Sequence, residues 1–182
     1  MTIALFNTSL QINADLFGYL ALGFFAFSFL MQSTRKTFLA QAPADACYGI
    51  HFLMLGSLTG CMVSLAAACR DLFAGLASER IMRIAIFIYL GLIWSVTFFT
   101  FNNDLAALFP ATASSLASCA MLLRNNYYHS RYVIFAVQSI WLCFFTSIGS
   151  IPGIVGALGI ITMNIIGLMR YHYDTSKRIV PA

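Results

Sequence analysis

Long apolar runs alternate with short polar breaks along the whole chain, at intervals that suit a lipid environment. A helix needs ~20 mostly apolar residues to cross bilayer hydrocarbon. Seven such runs can be marked, at 14–32, 38–55, 57–76, 83–100, 105–123, 132–148 and 151–171. The second and third are joined so tightly through Gly56 that they must form a hairpin; the sixth and seventh do the same through Gly149 and Ser150. The pattern predicts an all-α membrane protein of seven transmembrane helices. It is a single membrane domain over residues 1–182, with 172–182 as a cytoplasmic tail.

Orientation follows from the basic residues, which concentrate in cytoplasmic loops. Arg35 and Lys36 follow the first run, and Arg80 and Arg83 flank the break after the third. Arg124 and Arg131 follow the fifth, and Arg170, Lys177 and Arg178 end the seventh. With seven spans these sites share one side, opposite Asp15, the Asn102-Asn103-Asp104 turn and two uncharged hairpin tips. One missed span would scatter the charges over both sides. The N-terminus is expected outside and the C-terminus inside. Tyr127-Tyr128-His129 and Tyr171-His172-Tyr173 then fall at the cytoplasmic interface, where amphipathic rings belong.

Paired hairpins suggest a 3+1+3 parallel repeat: residues 14–76, a linker helix at 83–100, and residues 105–171, related by an axis along the membrane normal. Gly56-x-x-x-Gly60 opens the third run and Gly149-x-x-x-Gly153 opens the seventh. Laying one on the other pairs Asp45 with Gln138, Tyr48 with Trp141 and Asp71 with Asn164; a slip of one position sets Arg70 opposite Asn164 instead. Gly56, Gly60, Ser64 and Ala68 recur at a spacing of four, which lets helix backbones approach closely in lipid. Pro43 and Pro110 each free a backbone carbonyl and permit a kink.

Composition narrows the class. Only 9% of residues are charged, against roughly 25% in soluble domains, so the expected surroundings are the lipid bilayer. The net charge of +4 is dispersed over separate loops, which excludes a nucleic-acid footprint. Cys47, Cys61, Cys69, Cys119 and Cys143 lie in apolar runs without metal spacing and read as small buried hydrophobes. The first thirteen residues show no basic n-region or cleavage site, so no cleavable leader is expected, and no lipidation box is present. Enzyme signatures such as G-x-S-x-G, H-E-x-x-H or a phosphate loop are missing, so an enzyme is not expected, nor a cofactor or metal.

Ionisable groups inside hydrocarbon are costly and normally pair. Asp45 lies seven residues into the second run and Arg70 six from the end of the third, hence ~10 Å and ~9 Å deep at the helical rise. Adjacent antiparallel helices bring them to one level. The two are expected to pair, or Arg70 to meet both Asp45 and a polar group from the other half. His51 sits nearer mid-span and either carries a proton or is held neutral by a neighbouring carbonyl or hydroxyl. Asn164, alone among apolar neighbours, is interhelical glue or a solute hydrogen-bonder.

The stretch from Tyr48 through His51 to Gly56, with Arg70 nineteen positions after the histidine, resembles the YgjV-type family of bacterial inner-membrane proteins. So do the segment Leu108-Phe109-Pro110-Ala111-Thr112-Ala113-Ser114-Ser115, Trp141 and Asn164-Ile165-Ile166. The likeness runs from about Ala14 to about Arg170, with a departure at Gly167, where the family has a basic residue. The resemblance implies the bacterial cytoplasmic membrane but no substrate. Its layout is similar to the SWEET and PQ-loop transporters, in which an aromatic and an asparagine of each half flank a solute. Tyr48, Trp141 and Asn164 fall at comparable places, whereas Asp71 or Arg70 replaces a second asparagine, which suits a charged or zwitterionic solute better than a neutral sugar.

Two functions are therefore weighed. One is a transporter or facilitator of a small polar or anionic solute, held by Asp45, Tyr48, His51, Arg70, Trp141 and Asn164. In it Arg70 is an anion-side contact, His51 a polar or protonatable one, Tyr48 and Trp141 the walls and Asn164 a hydrogen-bonder. The other is a non-transporting sensor, assembly factor or complex subunit in which the polar residues satisfy one another. A water-reachable cavity lined by Arg70, His51 and Asn164 would favour the first.

Overall fold

A computed structural model describes residues 2–28, 30–31, 33–101, 105–122 and 127–179, without the side chains of 2–10, 34, 79, 127–130 and 170–179. The Asn102-Asn103-Asp104 turn, Arg124, the Tyr127-Tyr128-His129 side chains and the charged and aromatic side chains from Arg170 onward therefore lie outside the described parts.

Each apolar run corresponds in order to one α-helix: Thr2–Ser28 (α1), Thr34–Met54 (α2), Leu58–Leu76 (α3), Glu79–Thr100 (α4), Leu108–Leu122 (α5), Tyr127–Ser147 (α6) and Ile151–Ile179 (α7). A 3-10 turn at Leu105–Ala107 leads into α5, and no strand occurs among the described residues. Among the described residues, four stretches are long and apolar enough to cross a membrane: Leu58–Leu76, Arg80–Thr100, Leu105–Leu122 and Ile151–Met169. The apolar part of α6, Arg131–Ser147, is shorter. In α2, Arg35, Lys36, Gln41, Asp45 and His51 dilute the apolar character.

The two hairpins share one construction. At the end of α2, Gly56 takes φ 82°, and at the end of α6 Gly149 takes φ 69°. That left-handed turn is open to glycine at no steric cost. The following serine caps the next helix. Ser57 Oγ accepts the Gly60 N–H at 3.2 Å, and Ser150 Oγ accepts that of Gly153 at 3.1 Å, each filling an orphan donor at a helix start. The serine N–H groups return to Phe52 O at 2.8 Å and Phe145 O at 2.9 Å. Every partner in the first hairpin maps onto its counterpart under the shift that carries Gly56 onto Gly149.

Helix α2 packs on α1 and α3, α6 packs on α5 and α7, and α4 lies against α3 and α5. The first and last groups of three meet where α1 touches α7 and where α3 touches α5. Exchanging α1 with α5 and α3 with α7 turns one of these contacts into the other. Small residues make the close approaches. A Cβ on Gly60 would lie 2.8 Å from Phe144, and one on Gly153 would run into the Phe145 ring. Close packing is thus their role, while Gly56 and Gly149 serve the turns. Pro43 is accommodated within α2, and Pro110 stands in the first turn of α5, where its missing N–H costs little.

The cysteines depart from expectation. Cys61 alone is buried; Cys47 is half-buried, and Cys69, Cys119 and Cys143 are exposed. In lipid an outward thiol behaves as one more small apolar group, so the sequence pattern carries no information on its facing.

Gly153→Ala is expected to lower stability by about 1–3 kcal/mol through overpacking against Phe145. Gly159, with open space around it, supplies the control. Thermal unfolding in detergent micelles should show a lower midpoint for Gly153→Ala and little change for Gly159→Ala.

Candidate functional site

The six residues singled out in the sequence do not converge. They fall into four groups, the first two of which touch through the Tyr48 and His51 rings, 6.3 Å between centroids.

The first lies level with the α6–α7 hairpin. His51, fully buried, holds Ala14 O through Nδ1 at 2.6 Å and Ser150 Oγ through Nε2 at 2.7 Å. A carbonyl only accepts, so Nδ1 carries the hydrogen. Ser150 receives the Gly153 N–H and has its own hydrogen to give to Nε2. Three helices, α1, α2 and α7, are thereby tied together. Gly18 allows it: a Cβ there would stand 2.7 Å from Pro152 and 3.1 Å from His51. The expected mid-span position of His51 is corrected. It lies one turn from the α2 terminus, because α2 ends at Met54. The His51–Ser150 spacing also meets the distance of a serine–histidine dyad. Ser150 is fully buried, however, and its oxygen is engaged as the α7 cap, so no acyl group reaches it.

The second group is aromatic. Tyr48 stacks on Phe52 with centroids 5.6 Å apart, and Trp141 stacks on Phe145 at 5.5 Å. Across the two helices Tyr48 meets Phe145 at 5.9 Å and Phe52 meets Trp141 at 6.0 Å. Phe52 and Phe145 face each other at 5.9 Å. The shift that superposes the hairpins carries Tyr48 onto Trp141 and Phe52 onto Phe145, so the quartet maps onto itself. Tyr48 and Trp141 were expected as walls of a solute cavity; here each ring packs on Phe52 and Phe145, and Trp141 also on Phe144.

The third group lies toward the other end of α3. Arg70 directs Nε to Asp71 Oδ1 at 2.7 Å, with a terminal nitrogen on the same oxygen at 2.7 Å. Its other terminal nitrogen donates to Ser118 Oγ at 3.1 Å, and the guanidinium lies 5.1 Å from the Tyr89 ring centroid. Ser118 passes its own hydrogen to Ser114 O at 2.8 Å. The expected Asp45–Arg70 pair is not formed. Arg70 pairs with its neighbour Asp71, and Asp45 keeps only longer-range interactions with Arg70 and Asp71. Depth was shared as expected, but depth does not fix the direction in which each side chain leaves its helix. Of the alternative, in which Arg70 meets both Asp45 and a polar group from the other half, only the contact to the other group of helices is formed, at Ser118.

Asn164 is separate again. It accepts from Arg131 at 3.2 Å and donates to Arg131 O at 2.8 Å. Arg131, read from the sequence as a loop residue, is part of α6. Asp71 and Asn164, paired by the hairpin superposition, are thus both bonded to an arginine.

The sequence did not single out Tyr89 or Ser150. Ser114 and Ser118 could have been found from their i, i+4 spacing, which places both on one face of α5. The described cavity, of about 330 Å³, is an apolar groove between α3 and α4 with Arg70 and Tyr89 in its lining. His51 and Asn164 do not border it. No metal-binding cluster occurs among the described residues.

Residues 12–175 match the family model Imp-YgjV, described as a bacterial inner membrane protein. No curated protein and no solved structure matches the chain.

Removing the Arg70 guanidinium strands the Asp71 carboxylate, which costs roughly 3–5 kcal/mol when one partner of a buried pair is lost. Asp45→Asn breaks no hydrogen bond. Denaturation in mixed micelles should rank Arg70→Ala as far more destabilising than Asp45→Asn; equal losses would contradict this division of roles.

Proposed function

The chain belongs to the Imp-YgjV family of bacterial inner membrane proteins, and on that premise we propose that it is a multi-pass transporter or facilitator of a small polar solute. The two groups α1–α3 and α5–α7 act as halves in a 3+1+3 parallel repeat of seven spans. The N-terminus is outside, and α4 is the linker. Alternating access arises as one half rocks against the other. The proposal includes no enzymatic step.

The observation that carries this reading is the placement of the polar bonds between halves. His51–Ser150 joins α2 to α7 at the level of the hairpins. Arg70–Ser118 joins α3 to α5 toward the opposite end. The aromatic quartet lies between the two helices that carry it, without a hydrogen bond across it. A bundle fastened by a single replaceable hydrogen bond at each end, with the halves otherwise in ring contact beside the hairpins, has the parts of an occluded transporter. The neutral His51–Ser150 bond contributes about 0.5–1.5 kcal/mol net and the charged Arg70–Ser118 bond about 1.5–3 kcal/mol, small enough for a solute to offset. Separation of the halves would bare the stacked faces of Tyr48 and Trp141 to that solute. Arg70 already has its counter-charge in Asp71, so an anionic solute loses its support. A neutral or zwitterionic one fits better.

A specific observation favours the second reading, a non-transporting membrane component. His51 and Asn164 are both fully buried and bonded, as structural groups would be. A single cysteine at Tyr48 on a cysteine-free background separates the two readings. With alternating access, Ser150→Ala should raise its labelling several-fold by a membrane-impermeant thiol reagent added outside. Ser118→Ala should do so from the cytoplasmic side. Protection from both sides in all three proteins would favour the static component.

A further inference from the structure

The Arg70 node holds one carboxylate more than its cation requires. Five helix positions meet there: Asp45 on α2, Arg70 and Asp71 on α3, Tyr89 on α4 and Ser118 on α5. Arg70 and Asp71 form a complete ion pair with two contacts to one oxygen. Asp45, half-buried, has no ion pair or hydrogen bond to its carboxyl group among the described residues. The Tyr89 hydroxyl, on a side chain 6% exposed, is buried with no partner at hydrogen-bond geometry, although the Ser114 side chain lies close to it. It lies within electrostatic reach of both carboxyl groups and the guanidinium. A guanidinium has five N–H donors; three are used here, which leaves two.

In hydrocarbon, an unpaired charge costs far more than a neutral acid. Charge balance in the arrangement seen is therefore one guanidinium, one carboxylate on Asp71 and one carboxylic acid on Asp45. Asp71 is the carboxylate because it accepts from Arg70. The groups around Asp45 are Arg70 and Asp71 from α3, Tyr89 from α4 and Tyr48 one turn further along α2. The titratable side chains of α1 among the described residues, Asp15 beside His51 and the exposed Tyr19, are not among the charged neighbours of Asp45.

We propose that Asp45 is a proton-exchanging site that sets the state of the Arg70–Ser118 bond, so that the coupling ion of the transporter read above is the proton. With the proton on Asp45, Arg70 is shared between Asp71 and Ser118, and α3 stays fastened to α5. When the Asp45 carboxyl O–H ionises, the proton leaves to water and a second carboxylate appears beside the guanidinium. The two unused N–H donors then turn to Asp45, Ser118 is released, and the halves part at that end. Uptake of a proton reverses each step. The Tyr89 hydroxyl is placed to donate to the new carboxylate. This extends the transport reading and rests on it for the coupling, but not for the proton itself.

The test is infrared difference spectroscopy of the full chain in phospholipid vesicles, between neutral and alkaline buffer, where exposed carboxyl groups stay ionised. A carboxylic-acid C=O band should disappear reversibly as pH rises. It should be lost in Asp45→Asn, shifted in Asp45→Glu and unchanged in Asp15→Asn. The guanidinium band assigned by Arg70→Lys should shift with the same pH midpoint. Where Asp45→Asn does not fold, the shifted band of Asp45→Glu decides. An absent band, a band that survives in Asp45→Asn, or an Arg70 band indifferent to pH would each overturn the proposal. Because the spectra require no solute, their failure leaves the thiol-labelling test of transport standing, and the reverse also holds.

Discussion

A polar group inside hydrocarbon has no water to fall back on, and the arrangement of this bundle follows from where its few polar groups find partners. Each buried donor or acceptor must be met by another helix or by its own backbone, so each one dictates a neighbour. His51 dictates that α1 and α7 come together over the end of α2. Arg70 dictates that α5 approach α3. Asn164 fixes α6 against α7 through both a side chain and a carbonyl. Between these points and the Thr59–Thr100 hydroxyl bond of α3 to α4, the helices are joined mainly by apolar packing, which has no directional preference in lipid. The polar contacts therefore set the register, and the small residues Gly18, Gly60 and Gly153 let the backbones come close enough to make them.

The same constraint separates structural groups from working ones. A group whose buried polar atoms each have a partner, as in His51 and Asn164, holds its helices in register. The Arg70 node differs, because it carries a surplus carboxyl group, unused guanidinium donors and an unpartnered phenol within one cluster. An incompletely satisfied cluster in hydrocarbon is expensive if it serves only packing, and well suited to a site that changes partners. Its position at one end of the bundle, with His51 and the ring quartet toward the other, gives the chain two fastenings of different character. One is closed by a fully bonded imidazole, the other by a cation that a second carboxylate competes for.

Much of the architecture was legible in the sequence because apolar run length and glycine placement are direct physical requirements. The hairpins could be read from Gly56-Ser57 and Gly149-Ser150, since a left-handed turn followed by a serine cap leaves a local signature. Tyr48 and Trp141 were matched by the same superposition, and they do occupy equivalent places in the quartet. What escaped was azimuth. Counting residues gives a depth of ~1.5 Å per residue but not the direction of a side chain. Asp45 and Arg70 could thus be placed at one level while Asp71, next in the chain, took the ion pair. The second run was closed at 55, within one residue of the end of α2 at Met54, so counting alone would have set His51 one turn from that end. Its partner Ser150 belongs to a hairpin far away in the chain, and no local pattern announces such a contact.

The central claim is that the two helix groups move against each other about the aromatic quartet. Paired nitroxide labels in phospholipid vesicles test it most directly, at exposed positions on a cysteine-free background. Ile12 on α1 and Ile151 on α7 report one end; Leu76 on α3 and Leu122 on α5 report the other. Rocking requires two distance populations for each pair, and His51→Ala should shift them in opposite senses, wider at Ile12–Ile151 and narrower at Leu76–Leu122. A single unchanged distance at both ends, in the wild type and in His51→Ala alike, would contradict it.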